Sequence, residues 1–214
     1  IPYFGAWGFN WDHNHNSYAR ALDDGYVSIW TGLLNEDVYA PQPDGQYQPP
    51  LGKTTRLVHN PASIERSENY QVLSPDGSIW TYARPDGWGR PDRLPIVRFQ
   101  DRFGNGYSYH YNADNHLAQV IDDVGNQLNF LYGHCGFLEA VSDQTGRTIR
   151  YWHDEQRAHL IKVFRPPTPE ATDGAVMSFE YDSHEQHGRL RHNMTKVIDE
   201  MGQTKLLNIY CKDP

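Results

Sequence analysis

Asp122-Asp123-Val124-Gly125 leads into Asn126-Gln127-Leu128-Asn129-Phe130-Leu131-Tyr132, and after a short break Leu138-Glu139-Ala140-Val141 runs on to Asp143. The first four residues are turn chemistry: an Asp carboxylate accepts hydrogen bonds from main-chain N–H groups just downstream, and Gly supplies a positive φ. Polar and apolar residues then alternate through Tyr132, the period of a strand with one buried face. Leu138–Val141 reads as a second, shorter strand. The stretch is therefore a β-hairpin that ends where the next one begins.

The pattern repeats. Asp-x-x-Gly occurs at Asp101 and Gly104, Asp122 and Gly125, Asp143 and Gly146, and Asp199 and Gly202, with the first three Asp spaced by 21 residues. Each unit also predicts a Tyr ten residues after the Asp (Tyr111, Tyr132), a Leu sixteen after (Leu117, Leu138) and a Val nineteen after (Val120, Val141). In the third copy Tyr151-Trp152 and Leu160 stand in, about a residue out of phase, and Tyr181-Asp182 serves the fourth. Asp199 follows Asp143 by 56 residues, one unit and 35 residues more. Arg165-Pro166-Pro167-Thr168-Pro169-Glu170 lies in that excess and predicts an exposed loop insertion near 165–175 at the tip of an enlarged hairpin. The chain closes at Tyr210-Cys211-Lys212-Asp213-Pro214, partway through a further unit, so more of the same protein is the expected neighbour of that edge.

Residues 1–100 use the same grammar with a looser period. Asp23-Asp24-Gly25 precedes Tyr26-Val27-Ser28-Ile29-Trp30, and Pro75-Asp76-Gly77 precedes Ser78-Ile79-Trp80-Thr81-Tyr82. Two organisational parts are predicted: 1–100 as a β-rich lead-in and 101–214 as the regular hairpins, with a transition near Phe99 to Asp101 and no linker between. The fold class is all-β, a curved or spiralling antiparallel sheet of repeated hairpins.

Composition agrees. Across 214 residues the apolar fraction is 38%, but aromatic residues reach 13%, so burial must rely on large rings that favour strands. The 18 Gly and 14 Pro are spread along the chain and leave little room for long helices. Lys and Arg number 19 against 27 Asp and Glu, a net charge of -8 without any basic block, which argues against nucleic acid as a partner. No apolar run is long enough to span a membrane as a helix. The start, Ile1-Pro2-Tyr3-Phe4, shows neither an initiator Met nor a signal-peptide pattern, so the chain reads as a piece of something longer. Cys135 and Cys211 have no CxxC spacing, and their redox state is left open.

A unit of about 21 residues with Asp-x-x-Gly, a downstream Tyr-Asn or Tyr-Asp, then Leu-x-x-Val and the next Asp resembles the YD repeat of Rhs proteins. Asp122–Tyr132 and Asp143–Tyr151 carry the likeness, with Tyr111-Asn112 and Tyr181-Asp182 at the dipeptide that names the repeat. It covers about residues 101–210. The opening Phe4-Gly5-Ala6-Trp7-Gly8-Phe9-Asn10-Trp11 resembles the Gly-x-Gly-Trp segment that precedes such repeats, although Ala6-Trp7-Gly8 departs from its spacing. Teneurins and the shell subunits of insecticidal Tc toxins are similar in repeat. The resemblance implies a strip that spirals into a hollow cocoon, enclosing a C-terminal polymorphic toxin or forming part of a surface protein. It implies a secreted or cell-surface location and, as partners, the remaining repeats and a cargo fragment of the same parent polypeptide. The self-cleaving site of the family belongs to a C-terminal motif that does not occur in this chain. A non-catalytic role without cofactor is therefore expected.

Other clusters compete with that reading. His13 and His15, two residues apart beside Asp12, could share a metal in a hydrolase, yet an HxH without further spaced ligands reads better as a polar turn. His184, His187 and His192 flank a loop Gly. The four repeat Asp could be calcium ligands, but turn capping accounts for them. Trp30, Trp80 and Trp88 could stack on sugars in an extracellular glycan- or protein-binding module, the alternative function; packing between strands is the simpler use of the rings.

Overall fold

The computed structural model describes residues 4–63, 67–156, 158–169, 172, 174–182 and 192–210. The chain forms two compact units, Asp12–Asn129, and Ile1–Trp11 together with Phe130–Pro214. In chain order the strands are β1 (Phe4–Gly5), β2 (Gly8–Phe9), β3 (Tyr18–Ala21), β4 (Val27–Trp30), β5 (Glu36–Pro41), β6 (Tyr47–Gln48), β7 (Arg56–Asn60), β8 (Asn69–Leu73), β9 (Ile79–Ala83), β10 (Leu94–Gln100), β11 (Gly106–Tyr111), β12 (Leu117–Asp122), β13 (Gln127–Tyr132), β14 (Leu138–Asp143), β15 (Thr148–Asp154), β16 (His159–Phe164), β17 (Val176–Tyr181), β18 (Met194–Ile198) and β19 (Thr204–Leu207). The fold is all-β and built from antiparallel hairpins. A single 3-10 turn, Asp23–Gly25, is the helical element among the described residues. No helix there is long and apolar enough to cross a membrane.

In the unit Asp12–Asn129 the strands pair in sequence order from β3 to β10. β10 then pairs back with β3 through Leu94 and Ala19 and through Pro95 and Tyr18, which closes a circuit of eight strands. Its second half does something else: Arg98, Phe99 and Gln100 pair with Ser108, Tyr107 and Gly106 of β11. A register shift between Ile96 and Arg98 separates the two duties, a bulge that bends the strand and re-aims it. The strip thus completes one turn and leaves it through β11, β12 and the start of β13. β10 therefore serves both the circuit and the regular hairpins, around the transition near Phe99 to Asp101. The two compact units part at Asn129 and Phe130, inside β13.

Period-two alternation builds the core of this unit. Val27 and Ile29, Tyr70 and Val72, and Leu94 and Ile96 are buried in pairs two residues apart on their strands. Tyr39 and Tyr82 lie at 1% and 2% exposure, and a buried phenol needs a partner. Tyr39 Oη meets Thr55 Oγ1 at 2.6 Å, and Tyr82 Oη meets Ser17 Oγ at 3.0 Å.

The second unit places β14 to β19 in series as hairpins. The short β1–β2 hairpin docks on them from the far end of the sequence. Leu138 N donates to Ala6 O at 2.8 Å, and Phe9 N donates to Ala158 O at 2.9 Å. Trp7 lies 4.5 Å from Tyr151 between ring centroids, and Trp11 meets Phe179 edge-on at 4.9 Å. Both indoles pack against the core of Leu138, Tyr151, Leu160 and Phe179. If roughly 100 Å² of each indole leaves water, each contributes about 2–3 kcal/mol. Gly8 permits the docking: its φ is +89°, and a Cβ there would sit 2.3 Å from Ala158 O.

The proline-rich insertion is the tip between β16 and β17, pinched at its base where Arg165 N donates to Ala175 O at 2.8 Å. His184 and His187 lie outside the described residues, as does Cys211.

Candidate functional site

The repeated turns share one geometry. At Asp101, Asp122, Asp143 and Asp199 the Asp N–H donates to the carbonyl four residues on, and the N–H of Gly104, Gly125, Gly146 or Gly202 donates back to the Asp carbonyl. Each Gly has positive φ, from +73° to +93°. This is the three-residue hairpin loop, a type I turn followed by one left-handed residue. The carboxylate finishes it. Oδ1 of each Asp accepts from the N–H groups two and four residues on, as Asp122 does from Val124 (3.0 Å) and Asn126 (2.8 Å). Oδ2 is engaged as well, by Asn105, Asn126, Arg147 or Lys205. With both oxygens committed, the turn itself explains these carboxylates.

The hydrogen bonds also set their acidity. Asp143 falls to about 2, first through the Thr145 hydroxyl and then through Arg147 and main-chain N–H groups. Asp122 is lowered chiefly by the Asn126 side chain and Asp199 chiefly by the Gln203 N–H. The opposite tips use the same loop with other residues: Asn112 caps one, with Asn115 at φ +62° in the glycine position, and Gly133 and Gly136 make the next.

Among the strand aromatics, Tyr111 Oη donates to Ile96 O and Tyr181 Oη to Leu160 O, both at 2.8 Å. Tyr181 also accepts Trp11 Nε1 at 2.7 Å. Tyr132 packs on the Leu138 core, and burial raises its phenol. Tyr151 is buried in that core, but the register assigns its copy of the tyrosine position elsewhere. Tyr111 and Tyr181 each follow a register shift and pair with Leu117 and Met194; in β15 the residue that follows the shift, paired with Leu160, is His153. The loop after it is one residue longer than that after Tyr111, with Ala158 left-handed at φ +56°, which moves Leu160 one place beyond its period.

His13 and His15 come near each other, with ring centroids 6.3 Å apart. Burial lowers both, His13 to about 4, where neighbouring Asp12 opposes the shift and His15 adds to it. Asp12, the third ligand of the proposed set, is occupied. Its Oδ1 accepts from His13 N (2.8 Å) and Asn16 Nδ2 (2.7 Å), and its Oδ2 from Trp30 Nε1 (3.0 Å) and Leu34 N (3.2 Å). It ties a loop together.

Trp30 stacks on Tyr18 and Trp80 tilts against Phe99, so both rings spend a face on strand packing. Trp88 lies edge-on to Tyr111 and donates Nε1 to Arg93 O at 3.0 Å; it also lines a hollow of about 400 Å³ with Glu68, Arg84 and Asp86. The prominent exposed indole is Trp152, which the sequence reading used only as a repeat stand-in.

Trp152 lines a second cavity, of about 360 Å³, with Leu131, Phe137, His153, Cys135 and Glu155. At its edge His134, Cys135 and Glu155, all exposed, bring Nε2 or Nδ1, Sγ and a carboxylate oxygen within 4.8 Å of one another. The sequence signal was there. Residues close to one 21-residue period apart fall on neighbouring hairpin tips, and these are separated by 20 and 21 residues.

No protein-family model matches the chain, and no curated protein matches it. Among solved structures, a crystal structure of TcdB2-TccC3-Cdc42 is similar over 85% of this chain and 11% of that chain, at 14% identity and TM-score 0.39. This chain spans about a tenth of the length of that one. The crystal structure of a porin-like protein from Bacteroides uniformis is similar over 89% of this chain and 92% of that chain, at 10% identity and the same TM-score of 0.39.

Proposed function

We propose that this chain is a wall segment of an Rhs-like hairpin shell, and that its role is to enclose a C-terminal toxin or effector of the same polypeptide rather than to catalyse a reaction. The observation that carries the reading is the double pairing of β10: a strip that closes on its own first strand and then continues is what winding a wall from one ribbon requires. Uniform turns capped from within supply the repeat. Leu206 and Leu207 of β19, 43% and 66% exposed, and Ile209 at 88% offer apolar surface that a following hairpin would cover. The same reading places the protein outside the cell or on its surface after export.

Native mass spectrometry on the intact product of the whole gene tests this. The expected result is a tight complex of this segment with further repeats and a cargo fragment that resists protease until the wall is cut. Release of a folded 24.7 kDa monomer would overturn it.

A second reading has one observation in its favour, the hollow beside Trp88. An indole edge among Glu68, Arg84 and Asp86 suits a sugar ring with hydroxyls to satisfy. Trp88→Ala that abolishes binding on a glycan array would support it.

A further inference from the structure

Two hairpin tips in the unit formed by Phe130–Pro214 carry the three ligand-bearing side chains. The β13–β14 tip is a closed loop, with Gly133 N donating to Phe137 O and Gly136 N to Gly133 O, both at 2.9 Å; it presents His134 and Cys135. The β15–β16 tip is held by Asp154, whose Oδ1 accepts Gln156 N at 3.1 Å; it presents Glu155. The main chain of the β13–β14 tip is thus closed by its own hydrogen bonds, and Glu155 follows directly on the capping Asp154.

From this placement we propose that His134, Cys135 and Glu155 form a binding site for a borderline divalent transition-metal ion, with Zn²⁺ as its occupant. The donor set selects the class. Thiolate with imidazole suits zinc and its neighbours, whereas magnesium and calcium take oxygen donors. The distances fit. Bonds of about 2.0–2.3 Å in a tetrahedral zinc site hold ligand atoms roughly 3.3–3.8 Å apart. His134 Nε2 is 3.9 Å from Glu155 Oε2, and the three ligand atoms lie within 4.8 Å. Closing that gap takes rotamer changes of about 1 Å in side chains that are 81% and 55% exposed for His134 and Glu155, and no main-chain movement. The exposed Cys135 thiol already stands in hydrogen-bonding reach of the Glu155 carboxylate, so two of the three donors meet across the tips.

Three protein ligands leave one coordination position for water or an added donor. The adjoining cavity shares Cys135 and Glu155 with the ion and offers Trp152, Leu131 and Phe137 as apolar wall. The ion therefore joins two successive tips and creates a place for a small ligand with one metal-binding atom and an apolar body.

The test uses the full 214-residue chain under reducing conditions, stripped of metal, with Cys211→Ser so that Cys135 is its one thiol. Cobalt(II) is titrated first, and Zn²⁺ then competes for the site. One ion per chain is expected, with a thiolate-to-cobalt charge-transfer band and a Zn²⁺-dependent rise in the melting midpoint. Cys135→Ser should abolish the band. His134→Ala and Glu155→Gln should each weaken Zn²⁺ by more than the ~10–100-fold that loss of a supporting partner costs a metal site. The side chains are exposed, so all three variants should keep the metal-free melting midpoint and far-ultraviolet spectrum of the parent. Zn²⁺ bound equally well by Cys135→Ser would overturn the proposal, as would affinity unchanged in His134→Ala and Glu155→Gln, or no stoichiometric binding at micromolar metal.

Discussion

Gly8→Ala should cost much more stability than the same change at Gly125, although the two glycines have almost the same backbone. Their φ values are +89° and +93°, so each substitution carries the penalty of about 1–2 kcal/mol for an L-residue in the left-handed region. What differs is space. A Cβ on Gly125 meets nothing within 4 Å, while one on Gly8 would lie 2.3 Å from Ala158 O and 3.2 Å from Ala158 C, both main-chain atoms rather than the end of a flexible side chain. Relief requires lifting the β1–β2 hairpin. That breaks the bond from Phe9 N to Ala158 O, about 0.5–1.5 kcal/mol, and loosens Trp7 and Trp11 from the core. The expected total is about 3–5 kcal/mol for Gly8→Ala against about 1–2 kcal/mol for Gly125→Ala. Urea unfolding of both variants, followed by tryptophan fluorescence, measures the difference. Equal losses would refute the claim that the N-terminal hairpin sits on the later repeats through a close main-chain approach.

Tyr181→Phe should lose about 1–2 kcal/mol, since its hydroxyl both accepts Trp11 Nε1 and donates to Leu160 O; thermal unfolding checks it, and an unchanged midpoint would show the relay to be dispensable. His153→Tyr should change stability by no more than about 1 kcal/mol, because it restores the residue found at this register in the neighbouring hairpins and removes a ring nitrogen, Nε2, that is shut off from water without a hydrogen-bonding partner among the described residues, while giving up the bond to the Trp7 main chain; a loss above about 2 kcal/mol would count against the register assignment. Stability should also decline in acid. Asp122, Asp143 and Asp199 have folded values below their unfolded ones, so their contribution is complete above about pH 4 and is lost as pH falls through the folded values, which for Asp143 is about 2. Urea midpoints measured from pH 7 to pH 2 should fall in that window, and Asp143→Asn should flatten the profile.

Local chemistry was readable from the sequence, and long-range partnership was not. Asp122 and Gly125 announce their turn because every atom that makes it lies within five residues. The alternation in 126–132 announces its strand for the same reason. The docking of Trp7 and Trp11 on Tyr151 and Phe179 joins residues about 150 positions apart, and no local pattern encodes which face they meet. The return of β10 to β3 is equally silent, since Leu94 and Ala19 read as ordinary strand residues. His153 is hidden from a reading of residue types, because aromatic identity marks the repeat whereas register follows the bulge. The cluster of His134, Cys135 and Glu155 was within reach by a different route: asking which residues fall on adjacent tips when the period is laid out as a sheet.

The divided duty of β10 has a consequence for how such a chain can change size. Its first half fixes girth, because the number of strands between β3 and β10 sets the circumference of the closed circuit. Its second half fixes where the regular hairpins begin, and these can be added or removed in whole 21-residue units without touching the closure. An indel before Leu94 would have to be matched around the ring, while one after Gln100 leaves the ring closed, and only beyond Leu138 and Ala158, which anchor Ala6 and Phe9, does it spare the N-terminal hairpin. Bore and reach are written in separate stretches of the same gene, and can be altered one at a time.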